Sequence, residues 1–147
     1  MRVGIDIDNT LLQFDNYGTR AYAKLMLRGL HMRNMKFHVL AHDNISREFQ
    51  GLHPYLQEQG LSPYIESAHY IKGHKKTFLD QQDMKVDVMI ESYGWSAKHL
   101  AKQGITVLLF DHESNHDRPR KNIIRVKSWW EVFQQLVKLQ DKQKVVI

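Results

Sequence analysis

The chain predicts an α/β fold built on a parallel sheet with right-handed crossovers, and two observations carry that prediction. Short apolar runs rich in Val, Ile and Leu recur between segments of helical periodicity, which is the pattern of βαβ units. The residues with chemistry to offer fall at the ends of those runs, and parallel sheets bind ligands beyond the carboxyl ends of their strands.

Arg2-Val3-Gly4-Ile5 opens the chain as a buried strand and runs into Asp6-Ile7-Asp8-Asn9-Thr10. Beyond Thr19, Ala21, Leu25, Leu27 and Leu30, with Tyr22 and Met26 between them, form the apolar stripe of one crossover helix. Arg20, Lys24, Arg28 and Arg33 make its remainder basic, as a solvated face would be. Phe37–Ala41 is the second strand, with His42-Asp43-Asn44 as its exit loop. A helix over roughly 46–59 follows, capped by Ser46 and stopped by Gly60, with a break or late start near His53 because of Pro54.

Ile65–Ile71 is a strand, Lys72–Lys76 a basic turn and Thr77–Met84 a short helix. Val86–Ile90 is a buried strand ending at Glu91-Ser92, and Ser96–Gln103 a helix stopped by Gly104. Ile105–Phe110, the most apolar run, is a central strand that ends at Asp111. Ile123–Val126 is the last strand; Ser128 caps a helix from Trp129 to about Gln140, and Lys142 onward is expected to fray.

With 147 residues, 42% hydrophobic and 25% charged, one soluble globular domain over 1–147 is expected. The absence of cysteine excludes disulfides and thiolate metal sites. No leader pattern precedes the first strand and no apolar stretch has the length of a membrane span, so the expected location is cytoplasmic and no membrane contact is expected. A net charge of +5 with nine further histidines favours anionic partners and admits nucleic-acid contact. Nothing in the chain indicates an oligomeric state.

Asp6 and Asp8 would share a face if the first strand continued, and would converge above the sheet edge if it became a loop. Two acids there are costly unless a divalent cation, or a phosphate with its metal, lies between them. The other explanation is that Asp8-Asn9-Thr10 caps a following helix.

The string Gly4-Ile5-Asp6-Ile7-Asp8-Asn9-Thr10 resembles the first motif of the haloacid dehalogenase superfamily, and within it the 5'(3')-deoxyribonucleotidase-like group. Val86–Ser92 is similar to the fourth motif, Val107–Asp111 with Asn115 to the next strand, and Arg125-Val126 with Trp129, Trp130 and Glu131 to the usual tail. The resemblance implies a three-layer Rossmann-like parallel sheet with helices on both faces. It implies Asp6 as a nucleophile carrying an aspartyl-phosphate, and Asp8 as general acid and base. Mg²⁺ would be held by the Asp6 carboxylate, the Asp8 backbone carbonyl and Glu91. Thr10 and a lysine of the Lys72, Lys75, Lys76 group would bind phosphate; Lys75 and Lys76, at a helix start, fit best.

Three departures bear on catalysis. Where the second motif supplies a hydroxyl, this chain has Ala41-His42-Asp43, with Asn44 or Ser46 as substitutes only through a shifted loop. Where the fourth ends in two acids, it has Glu91-Ser92, and a serine is a poor ligand for a hard cation. Only residues 11–36 separate Thr10 from Phe37, enough for one helix and no sizeable cap domain.

The expectation is therefore a Mg²⁺-dependent phosphohydrolase acting on a nucleotide or a nucleic-acid end, an open site suiting a phosphate on something large. The alternative is a catalytically weak or inactive relative that binds a nucleic acid or a protein. Asp111–Asp117 reads as an ordinary polar loop rather than a metal cluster. His31, His38 and His69 read as surface or core-edge residues. Trp129 and Trp130 are expected to dock the last helix on the sheet.

Overall fold

The computed structural model describes residues 1–12, 19–42, 51–116 and 119–145. Among the described residues six strands form one sheet: β1 (Arg2–Ile5), β2 (Lys36–Ala41), β3 (Ile65–Tyr70), β4 (Val88–Glu91), β5 (Thr106–Phe110) and β6 (Ile123–Val126). Their order is β3-β2-β1-β4-β5-β6, and every pairing is parallel. The chain thus builds outward from β1 to β3, then returns to the other side of β1 with β4. The order reverses between β1 and β4, which is where sheets of this kind place their ligand crevice.

Alternation along the strands separates two cores. Val3, Ile5, Phe37, Val39, Val88, Ile90, Leu108 and Phe110 pack against α1 (Ala23–Met32), α2 (Leu52–Glu58) and α5 (Trp129–Val145). Leu40, Met89, Val107 and Leu109 pack against α3 (Lys75–Gln81) and α4 (Gly94–Lys102) on the other face. Three layers result, with helices on both faces. Gly4 lets β1 and β4 share the second face: a Cβ there would stand 2.4 Å from Met89 Sδ, its register partner. Between Thr10 and β2 the described residues form α1 alone, and the described residues build no cap domain.

Several boundaries differ from expectation. The stripe of α1 that meets the core is Ala23, Leu27 and Leu30, whereas Leu25 and Tyr22 are exposed. Helix α2 starts late, at Leu52, with Pro54 in its first turn, where proline is tolerated; Ser46 lies outside the described residues. Helix α3 begins at Lys75, not Thr77. Strand β4 begins at Val88 and α4 at Gly94. Helix α5 continues through Lys142 and Lys144 to Val145 instead of fraying; lysines suit the negative end of a helix dipole. Ser128 caps α5 as expected, its Oγ accepting from Glu131 N at 3.2 Å. Trp129 is buried, but Trp130 is half-exposed and stacks on Phe133 rather than docking. Among the described residues no helix is long and apolar enough to cross a membrane.

Candidate active site

β1 delivers Asp6 as the last rung of its ladder: Asp6 N donates to Ile90 O at 3.0 Å. The chain then wraps around the Ile7 carbonyl, which accepts from the amides of Thr10, Leu11 and Leu12 at 3.0–3.1 Å. Asn9 turns with φ 59°, a left-handed conformation asparagine tolerates better than most residues. This turn returns Asp8 to the neighbourhood of Asp6, and both are nearly covered, 8% and 2% exposed.

Lys75 joins the carboxylates. Its Nζ lies 3.1 Å from Asp6 Oδ1 and 2.5 Å from Glu91 Oε1, and all three side chains are buried. A lysine in the first turn of a helix opposes the helix dipole; here two buried carboxylates supply the compensation. Ser96, in the first turn of α4, donates to the same Glu91 Oε1 at 2.9 Å. Asp6 Oδ2 and Glu91 Oε2 remain buried without a hydrogen-bond partner. Unpartnered carboxylate oxygens in such a place are costly unless a cation or donor meets them.

The electrostatics follow from this burial. Burial and the charge of Asp6, against the pull of Lys75, push the Asp8 carboxyl up to about 6. Burial likewise pushes Glu91 up to about 7, with Lys75 opposing and Asp6 adding. Burial pulls the Lys75 ammonium down, but Asp6 and Glu91 outweigh it and hold the pKa above the ordinary lysine value. Tyr93, at the head of α4, is pushed up to about 12 by burial and then by Asp8, Asp6 and Glu91, so it stays a neutral phenol.

Of the residues expected at the site, Asp6, Lys75 and Glu91 are joined by ion pairs, and Asp8 feels the charges of Asp6 and Lys75. Thr10 is fully buried, and its hydroxyl stands 2.7 Å from that of Ser92. Lys76 turns away and pairs with Asp80. Lys72 is exposed, and His42 at the end of β2 is partly covered. Asp43 and Asn44 lie outside the described residues. Ser92 does not point to a ligand position: its Oγ donates to Asn9 O at 2.8 Å and so pins the Asp8–Thr10 turn to β4.

Sequence reasoning missed the supports of this site. Arg20, expected on a solvated face, donates to Asn9 O at 2.8 Å and lies 4.2 Å over the Phe110 ring. The Asp111–Asp117 loop holds no ion cluster among its described residues, with Asp117 outside them, but it supports the site through Asn115. Asn115 is buried and donates to Ser92 O at 2.9 Å and to Phe110 O at 2.7 Å, while Arg125 donates to Asp111 and Asn115 at 2.9 Å. Trp129 Nε1 donates to Thr10 O at 2.9 Å, tying α5 to the same turn. Ser96 had a legible signal, since a hydroxyl in the first turn of the helix that follows a strand-end acid can reach back to it.

Among the described residues no group of three His, Cys, Asp or Glu side chains converges as an ion site. The donors a hard cation would find are the spare oxygens of two buried carboxylates, Asp6 and Glu91, with the Lys75 ammonium between the two side chains.

No family model matches the sequence, and no curated protein does. Solved structures match its fold. An uncharacterised protein from Listeria monocytogenes serotype 4b aligns with a TM-score of 0.72 at 17% identity, covering 96% of this chain and 99% of that one. A HAD-superfamily hydrolase from Ehrlichia chaffeensis aligns with a TM-score of 0.60 at 12% identity, covering 86% of this chain and 62% of that one. A dehalogenase solved as an intermediate complex aligns with a TM-score of 0.62 at 14% identity, covering 80% of this chain and 56% of that one. The chain therefore spans about three-fifths of the length of those two enzymes. At these identities the likeness establishes architecture: a haloacid dehalogenase-like fold, a parallel sheet between two helical layers, with no large cap among the described residues.

Proposed function

We propose that this protein is a Mg²⁺-dependent phosphohydrolase that releases phosphate from a nucleotide or a nucleic-acid end. The observation that carries the proposal is the buried Asp6–Lys75–Glu91 bridge, with Asp8 beside it at a pKa near 6. Lys75 holds one oxygen of Asp6, which orients the other for attack on phosphorus. As the bond from Asp6 to phosphorus forms, the bond to the leaving oxygen breaks and Asp8 supplies its proton. Water then attacks the aspartyl-phosphate, Asp8 takes the water's proton, and inorganic phosphate leaves Asp6. A carboxyl held near 6 is suited to both halves of that cycle close to neutral pH. Asp6, Glu91 and the Asp8 carbonyl would hold Mg²⁺, which when bound offsets the repulsion between an anionic nucleophile and an anionic phosphate.

A second reading is a weakly active or inactive relative that binds a nucleic acid or a protein. It is favoured by Ala41 standing at the end of β2 where a hydroxyl was expected, and by Ser92 being engaged with Asn9 and Thr10.

Phosphate release should be measured from mononucleotides, 5'- and 3'-phosphorylated oligonucleotides and an aryl phosphate, with and without Mg²⁺, beside Asp6→Asn. Metal-dependent release that the variant loses is the expected result. Release that survives Asp6→Asn would sink the nucleophile assignment; no release from any substrate by the folded protein would favour the binding reading.

A further inference from the structure

Four rings from three elements meet at the carboxyl edge beside the carboxylates. His42 follows β2 directly, His74 directly precedes α3, and Trp95 and His99 lie one turn apart on α4. The His42 and Trp95 centroids are 5.5 Å apart at 40°, and His74 and Trp95 are 6.2 Å apart at 63°. His74 and His99 stack at 3.8 Å and 15°. His42 Nε2 donates to Gly73 O at 2.8 Å, which fixes the end of β2 to the loop before α3.

The cluster adjoins the reacting groups through the backbone itself. His74 is the residue before Lys75, whose ammonium touches Asp6. Trp95 is the residue before Ser96, whose hydroxyl touches Glu91. His74 and Trp95 thus stand at the starts of the two helices that carry Lys75 and Ser96, on the same edge of the sheet as Asp6. Trp95 is 53% exposed although it is the largest ring of the cluster. Trp95 thus presents a half-exposed indole beside two imidazoles at this edge of the sheet.

We propose that Trp95, with His42 and His74, is a stacking platform for the nucleobase of the substrate, whose phosphate is held beside Asp6. The proposal rests on the phosphohydrolase reading for the position of the phosphate, and names what the rest of the substrate must be: a phosphate ester carrying a planar aromatic heterocycle. Stacking of bases on aromatic side chains tolerates any base and needs no cap to enclose it. A free nucleotide and the last nucleotide of a strand present the same chemistry.

The test is the ratio of two affinities, measured by calorimetry on the full chain carrying Asp6→Asn, in Mg²⁺. The ligands are adenosine 5'-monophosphate and ribose 5-phosphate, which lacks the base. The nucleotide should bind at least about tenfold more tightly, the scale on which one stacked base is felt. Adding Trp95→Ala should collapse that ratio towards one, and Trp95→Phe should restore most of it, with thermal unfolding reporting that both variants are folded. Equal affinity for the two ligands, a ratio unchanged by Trp95→Ala, or no binding of either ligand overturns the platform. A 5'-phosphorylated dinucleotide distinguishes the sources: tighter binding than the mononucleotide, still dependent on Trp95, assigns the platform to a strand end, and equal binding to free nucleotides. Trp95-dependent binding without phosphate release from the unmutated chain would keep the platform and remove the hydrolase. Release from ribose 5-phosphate as fast as from the nucleotide would do the reverse.

Discussion

The hydroxyls of Thr10 and Ser92 stand 2.7 Å apart and close the carboxyl ends of β1 and β4 onto each other. Ser92 Oγ also donates to Asn9 O, Arg20 reaches the same carbonyl, and Trp129 takes the Thr10 carbonyl. The turn that carries Asp8 is thus held by residues from β4, α5 and the approach to α1. The serine that stands where a second acid was expected has a structural task of its own. It fixes the turn, and leaves Glu91 as the acid of β4.

Ser92→Ala should therefore act on stability. It strips the buried Thr10 hydroxyl of its partner and takes one donor from Asn9 O, at a cost of about 1–3 kcal/mol. In a chain of this size that is a fall in Tm of several degrees, read by thermal unfolding. A Tm within a degree of the parent would mean that the two hydroxyls do not hold the turn in solution.

Lys75→Met should be much more severe at neutral pH. It leaves Asp6 and Glu91 buried without a cation, and breaking a buried pair in this way costs about 3–5 kcal/mol. Glu91 is already raised to about 7 with Lys75 present, and removing that opposing charge raises it further. The folded state then holds a proton that the unfolded chain releases, so the variant should regain stability as pH falls. Urea midpoints at pH 8 and pH 5.5 give the check, and adding Glu91→Gln should recover part of the loss at pH 8. A deficit independent of pH would show that lost packing, not charge, is the cause.

The places where sequence and structure part company have physical reasons. The β1 and β5 strands were legible because continuous apolar runs closed by polar residues leave few other solutions. The start of α3 was not, because His74-Lys75-Lys76 reads as a solvated turn when the partners of Lys75 are unknown; those partners are 69 and 16 residues away. The pair Asp6 and Asp8 was visible as chemistry, since acids beyond an apolar strand need compensation. Arg20 and Asn115 were not, since each supports the site through backbone carbonyls that no side-chain pattern announces. Trp129 and Trp130 look alike in sequence, and only the phase of α5 separates the buried ring from the exposed one.

Asp8 carries the clearest pH signature. Its carboxyl is raised from 3.8 to about 6, by burial first and by Asp6 second. Between those values the folded protein keeps a proton that the unfolded chain gives up. The stability linked to Asp8 is thus gained as pH falls from above 6 towards 3.8, and is lost as pH rises through 6. Asp8→Asn removes the buried charge, so at pH 8 the variant should be more stable by on the order of 1 kcal/mol, or a few degrees in Tm. The same change should lower phosphate release by about 10²–10⁴-fold, the usual scale of a general acid–base contribution. In the parent, kcat/KM should fall as pH rises above about 6, because the leaving oxygen then finds Asp8 without its proton. A pH profile that stays flat from 5 to 8, or an Asp8→Asn variant that is less stable than the parent at pH 8, would remove Asp8 from the role of acid.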